Sequence, residues 1–241
     1  TSKKIVFGFL YLVLFLVVGF FVFGLGEKLL PQKSGEPDIQ KKEEIAELEV
    51  QDSDHFSLSN GRVVLLGFIS NPNEKYGVLR AEYVFKLYDS KDQIVEELAG
   101  KTVVAPSENR IILQEALRAK PKDLERLSLE VTKVQWEKSD AFPKARIELK
   151  EEARVVVEND AMKISGVLEN QSSFDIREIE VIAVLRDKNN FRYFAAGTRL
   201  ANFSSFEEKG FEITIPDDVS LKNKALGGRV EVFVYPHTNG G

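Results

Sequence analysis

Hydrophobic residues fall along this chain in two regimes. From Ile5 to Leu25 they run unbroken, with no charged residue among them. At about 1.5 Å rise per residue such a run makes a helix of roughly 30 Å, the thickness of a bilayer's hydrocarbon core. The pattern predicts a transmembrane α-helix over 5–26, behind a short N-terminal tail at 1–4. A cleaved signal peptide has a shorter apolar stretch and a small-residue cleavage site. Here Gly24-Leu-Gly-Glu-Lys28 leads instead into Leu29-Leu-Pro31. Gly8, Gly19, Gly24 and Gly26 lack the spacing of a helix-dimer motif. Residues 27–45 are polar and carry Pro31, Gly35 and Pro37, the composition of a flexible stalk.

Beyond residue 45 the period drops to two. Ala46, Leu48 and Val50 alternate with polar positions; so do Ala81, Tyr83, Phe85 and Leu87, then Leu127, Leu129 and Val131, then Val230, Val232 and Val234. Such alternation gives strands with one buried and one wet face, as in antiparallel sheet. Asn60-Gly61 between apolar runs predicts a hairpin with a type I′ turn. Residues 116–124 are rich in helix formers, and Pro121 limits them to about a turn.

The second regime repeats. At an offset of 99 residues, Ala46, Glu49, Asn60, Gly67 and Asn71 fall on Ala145, Glu148, Asn159, Gly166 and Asn170 without a gap. One residue of slip then places Leu87 and Asp89 on Leu185 and Asp187, and the strand pattern of 127–136 matches that of 228–235. Self-similarity of this kind predicts two copies of one unit. The expected fold is mainly β: two tandem antiparallel β-sandwich domains at 46–136 and 145–236, preceded by one N-terminal transmembrane helix. A charged linker at 137–144, containing Pro143, reads as a short exposed hinge, and 237–241 as a tail.

The first copy contains Phe85-Lys-Leu87-Tyr88-Asp89, preceded by Gly67-x-x-x-Asn71 and followed by Ile94-Val95 and a loop with Pro106. This order resembles the FxLYD domain family, an immunoglobulin-like β-sandwich group akin to late-embryogenesis type 2 and water-stress domains. The resemblance implies modules outside the membrane of bacteria and archaea, often behind a single anchor helix, with no catalytic set. The second copy keeps Leu185 and Asp187 but has Ala183 and Arg186 where the signature has aromatic residues. Read physically, Phe85 and Leu87 belong to a buried face, Tyr88 points the other way, and Asp89 starts a turn.

Composition narrows the chemistry. The chain carries a formal net charge of −5 and no basic stripe, which argues against a nucleic-acid partner. It has no cysteine, so disulfides, thiolate metal sites and cysteine nucleophiles are excluded. Lysines lie on both sides of the apolar run and do not set its orientation. A short tail before a long apolar run behaves as a signal-anchor, which would put residues 27–241 outside the cytoplasm. His55 and His237 are the only histidines. Asp52-Ser-Asp54-His55 reads as exposed strand or loop rather than a metal site, and no phosphate loop, metal set or cofactor motif is present. Phe203 and Phe206 fill the sandwich or face outward as a partner-binding patch. The functional expectation is a non-catalytic structural or interaction protein of a prokaryotic cell envelope, anchored in the lipid bilayer through 5–26 and working with an envelope protein partner. The alternatives are an accessory subunit of a larger membrane machine, or a ligand-binding domain with a polar pocket between its modules.

Overall fold

The computed structural model describes residues 44–237, except 118, 120–123, 143, 159–160, 219–220, 223 and 225–227. The expected anchor at 5–26, the tails at 1–4 and 238–241, and nearly all of the stalk lie outside the described residues. Among the described residues no helix is long and apolar enough to cross a membrane.

Residues 45–241 form one contact unit, mainly β. The first six strands are β1 (Glu49–Ser57), β2 (Val63–Ser70), β3 (Tyr76–Tyr88), β4 (Ile94–Val104), β5 (Asn109–Ala116) and β6 (Arg126–Lys138). The second six are β7 (Ile147–Glu158), β8 (Ala161–Asn170), β9 (Ile176–Arg186), β10 (Arg192–Phe203), β11 (Glu208–Ile215) and β12 (Arg229–Pro236). They make four antiparallel sheets of three strands: sheet I (β1-β2-β5), sheet II (β4-β3-β6), sheet III (β7-β8-β11) and sheet IV (β10-β9-β12). Strand for strand, the order in the second half repeats that in the first.

Alternation builds each pair of sheets. Val63, Leu65 and Ile69 of sheet I meet Tyr83, Phe85 and Leu87 of sheet II in one core. Met162, Ile164 and Leu168 of sheet III share a core with Ile179, Val181, Ala183 and Leu185 of sheet IV. The glycine common to both halves makes room for a neighbouring side chain, from the facing sheet at Gly67 and from the paired strand β11 at Gly166. A Cβ on Gly67 would stand 2.5 Å from Leu129 Cδ2 and 3.0 Å from Phe85 Cζ, and one on Gly166 would stand 2.7 Å from Phe211 Cε1. Gly67→Ala is expected to cost about 1–3 kcal/mol through overpacking, read as a lower urea midpoint. An unchanged midpoint would show that the facing sheet yields.

The two halves are stacked, which strict alternation does not announce. Val64, Leu66 and Phe68 point from sheet I away from sheet II, and they join the core of the second half together with Phe56 and Ile111. The rings of Phe56 and Phe194 lie 6.4 Å apart, and Arg192 sits 4.5 Å over the ring of Phe68. From sheet IV, Glu180 reaches Arg110 of sheet I, so Ile182 and Val184 face sheet I as well. The layers therefore run II, I, IV, III. The central strands of the two inner sheets are buried on both faces: Val63 to Leu66 in β2 and Val181 to Leu185 in β9 are all buried. The outer layers are polar. Lys86 pairs with Glu130 at 2.5 Å on sheet II, and Lys163 with Glu212 at 3.0 Å on sheet III.

One local expectation needs correction, the turn type at Asn60-Gly61. The segment at 137–144 is exposed at most of its described positions, with Phe142 the buried exception. Strand β6 continues through Lys138, Ser139–Ala141 make a 3-10 turn, and Phe142 is buried against the backbone of Gly77. A buried aromatic ties the junction down. The turn at Asn60-Gly61 is not type I′, because Gly61 (φ 84°) has positive φ and Asn60 does not. Leu58 and Arg62 close a three-residue loop, with Gly61 N–H donating to Leu58 O at 3.0 Å. The Asn60 side chain accepts from Arg62 N–H at 3.0 Å, which holds the asparagine in the ordinary region. Asn159-Asp160 lie outside the described residues.

Candidate functional site

The signature residues are structural. Phe85 and Leu87 are fully buried between sheets I and II. Tyr88 points outward, with the Arg126 guanidinium stacked 3.7 Å above its ring. Asp89 starts the β3–β4 turn, its Oδ1 accepting from Lys91 N–H (2.8 Å) and Gln93 N–H (2.9 Å). Asp187 does the same in the second half, for Asn189 N–H (2.8 Å) and Phe191 N–H (3.0 Å). Each loop ends in a residue with positive φ, Asp92 and Asn190. This explains why Leu and Asp recur between the halves: one fills the core and the other folds the turn. Asp89→Ala and Asp187→Ala should each cost about 1 kcal/mol in chemical denaturation, for two lost backbone contacts. A double variant as stable as the parent would remove this role.

Phe203 and Phe206 do not form one patch. Phe203 is fully buried in the core of the second half, because it ends β10 on its inward face. Phe206 is 68 % exposed and stands in the following turn at φ 58°. The exposed aromatic it shares an end with is Phe174: Phe206 N–H donates to Asn170 O (2.8 Å), and Asn170 Nδ2 donates to Phe174 O (3.1 Å).

The two histidines lie in different halves. His55 is on β1 opposite Leu65, and burial holds its imidazole below the ordinary value against the opposing pull of Asp54. Its neighbours Asp52 and Asp54 are engaged by Arg192 across the halves, the Asp54 contact at 2.6 Å. His237 follows β12, its N–H on Glu178 O at 2.9 Å. Among the described residues no three histidine, aspartate or glutamate side chains are grouped to hold a metal.

The feature that stands out lies where the halves meet, along β5. This strand is an edge of sheet I. Beside it opens a cavity of about 510 Å³, walled by Arg80, Tyr83 and Lys101 of sheet II, Arg110, Leu113 and Gln114 of β5, and Glu180, Arg199 and His237 of the second half. A second cavity of about 430 Å³ shares Leu113 and Gln114 and continues past Arg62, Glu115, Phe194 and Gly197. Together they form a groove following β5 from Arg110 to Glu115.

Charge in the first cavity is one-sided. Arg80, Lys101, Arg110 and Arg199 line it with one carboxylate, Glu180, while Glu82 holds Arg80 at 2.7 Å and Glu178 stands 3.7 Å from Arg199. Arg110 is the anchor: it is buried, donates to Glu180 Oε2 at 2.5 Å and lies 4.0 Å over the ring of Tyr235. Tyr235 Oη accepts from Ile111 N–H and donates to Asn109 O, both at 3.0 Å. Burial raises the phenols here, Tyr235 strongly and Tyr83 to about 12, so both stay neutral hydrogen-bonding groups. Among the described residues four buried side-chain atoms lack a hydrogen-bond partner. Three of them, Arg110 Nε, Gln114 Oε1 and His237 Nε2, belong to residues of this wall. Leaving such an atom without a partner costs about 1–3 kcal/mol.

No sequence motif singles out Arg110, Glu180, Arg199 or Tyr235. A signal for the junction was present in the repeat alignment. At the offset of 99, Val64, Leu66 and Phe68 fall on Lys163, Ser165 and Val167. Only the first copy carries a fully apolar second face on this strand, so only the first copy has something to cover there.

No family model matches this sequence, and no curated protein matches it. A solved structure, that of red sea bream transglutaminase, is 9 % identical with a TM-score of 0.24; the match covers 81 % of this chain and 32 % of that one.

Proposed function

We propose that this chain is a non-catalytic interaction protein of a prokaryotic cell envelope. Residues 5–26 hold it in the bilayer, 27–45 form a stalk, and the two halves, 46–136 and 145–236, are immunoglobulin-like sandwiches of the FxLYD kind. The body serves as a preformed binding surface for an envelope protein. The observation that carries this reading is the docking of sheet I on sheet IV. It fixes two modules as one piece, covers the apolar second face of sheet I, and leaves a groove along β5. A body whose two halves share one core loses less entropy when it binds than two loosely linked modules would, which suits recognition. The membrane arm is tested by cell fractionation with an alkaline wash, followed by protease treatment of intact spheroplasts. Retention in the membrane with external digestion is the expected result; recovery in the aqueous fraction would sink it.

A second reading, an accessory subunit of a larger membrane assembly, is favoured by Phe174 and Phe206, exposed at one end of the second half. Isolation in mild detergent after cross-linking separates the two. A fixed set of membrane partners lost in Phe206→Ser supports the assembly; one partner indifferent to that change supports the groove.

A further inference from the structure

The geometry points to the groove along β5 as a docking site for an extended acidic peptide, bound as an added strand on the free edge of sheet I. This inference rests on the reading of the chain as an interaction protein and names the chemistry of its partner.

The edge is the first argument. Strand β5 pairs with β2 without a register break from Ala116 to Asn109. At Ile111 the N–H, and at Asn109 the C=O, point away from β2, because both are bonded to Tyr235 Oη. Backbone direction repeats every second residue on an antiparallel edge, so the N–H and C=O of Leu113 and Glu115 point the same way. Among the described residues nothing bonds them. An unpaired edge is a template for another strand, and proteins ordinarily cover or blunt it. Here Tyr235 covers the first part and a groove lies open along the rest. Adding a strand at an edge gives affinity through the main chain and leaves selection to the side chains beside it.

Those flanking side chains select for negative charge. Lys101 on the first half and Arg199 on the second are both exposed and flank the same cavity; beside them Arg80 is held by Glu82 at 2.7 Å and the buried Arg110 by Glu180. Arg199 makes only a long contact to Glu178, 3.7 Å. An alternating peptide would place every second side chain on one face, so acidic residues at that spacing meet this row while apolar ones turn toward Leu113 and Phe194.

The test uses the full chain in detergent micelles and fluorescently labelled seven-residue peptides, read by anisotropy. A peptide alternating valine and glutamate should bind saturably. One alternating valine and lysine should not, and the glutamate peptide with every backbone amide methylated should lose its binding. Lys101→Glu combined with Arg199→Glu should weaken the glutamate peptide by about tenfold or more, while the thermal midpoint stays near that of the parent. Absence of saturable binding overturns the proposal. So does binding that survives amide methylation, since pairing at the edge is then not involved, or binding indifferent to the charge reversals. Membrane retention and capture of a partner by the intact chain would persist through such a failure, so the broader reading falls only by its own experiment.

Discussion

Replacing Leu66 by serine should destabilise the body by about 3–5 kcal/mol, the range for emptying a fully buried leucine site and leaving a hydroxyl there. Leu66 has no exposed surface and joins the core shared by sheets I and IV. Serine is what the second half carries at the matching position, Ser165, which faces outward on sheet III. The same residue type is therefore harmless in one copy and damaging in the other. Beyond the loss of stability, the variant should uncouple the halves. Trp136, the chain's single tryptophan, reports on β6 of the first half, and far-ultraviolet circular dichroism reports on all strands. In guanidinium the parent should lose both signals together, and Leu66→Ser should separate them. Ser165→Leu is the counterpart and should move stability by no more than about 0.5 kcal/mol, because it adds a surface side chain. A variant at Leu66 that unfolds within about 1 kcal/mol of the parent, with the two signals coincident, would mean that the stack contributes little.

Asn170→Asp should cost about 4 kcal/mol or more at neutral pH, although the two side chains have nearly the same shape. Asn170 is fully buried. Its Nδ2 donates to Phe203 O (3.2 Å), Ser204 O (2.9 Å) and Phe174 O (3.1 Å), and its Oδ1 accepts from Ser172 N–H at 3.0 Å. One amide thus closes the loops on both sides of β9 and β10. An aspartate there would turn an ionised oxygen toward three carbonyl oxygens in a fully buried site. Its carboxyl would be held above the unfolded value of about 3.9. The sign follows: the deficit is smallest below that pH, where the group is protonated in both states, and grows as pH rises until the folded group ionises. Asn71 occupies the same place in the first half, donating to Tyr76 O (2.8 Å) and Ala105 O (2.9 Å). Asn71→Asp should show the same pH trend. A flat pH profile for either variant would remove the buried-amide explanation.

The repeated letters of the sequence have separate causes. Gly67 leaves room for side chains of the facing sheet and Gly166 for Phe211 of the neighbouring strand, Asn71 and Asn170 close loops from inside, and Asp89 and Asp187 fold turns. Each acts within its own half, which is why a comparison of the two copies finds them. The junction residues act between halves. Arg110 meets Glu180 at a separation of 70 residues and Ile111 meets Tyr235 at 124. Neither pair has a counterpart between the copies, so no repeat could reveal it. Phe203 and Phe206 sit three residues apart in the same aromatic stretch, and the sequence offered no ground for separating them. The end of β10 turns one inward, and the following left-handed turn throws the other out.

By itself the chain's pattern determined the mainly β character, the alternating strands and the doubling at an offset near 99, because each depends on period and local turn chemistry. Tertiary structure alone decided that the halves stack in the order II, I, IV, III, that 137–142 is tied down, and that a cationic groove opens beside β5. The physical reason is that alternation records only whether a side chain avoids water. It is silent on which apolar face meets which, and that choice rests on shape and charge brought together across distant parts of the chain.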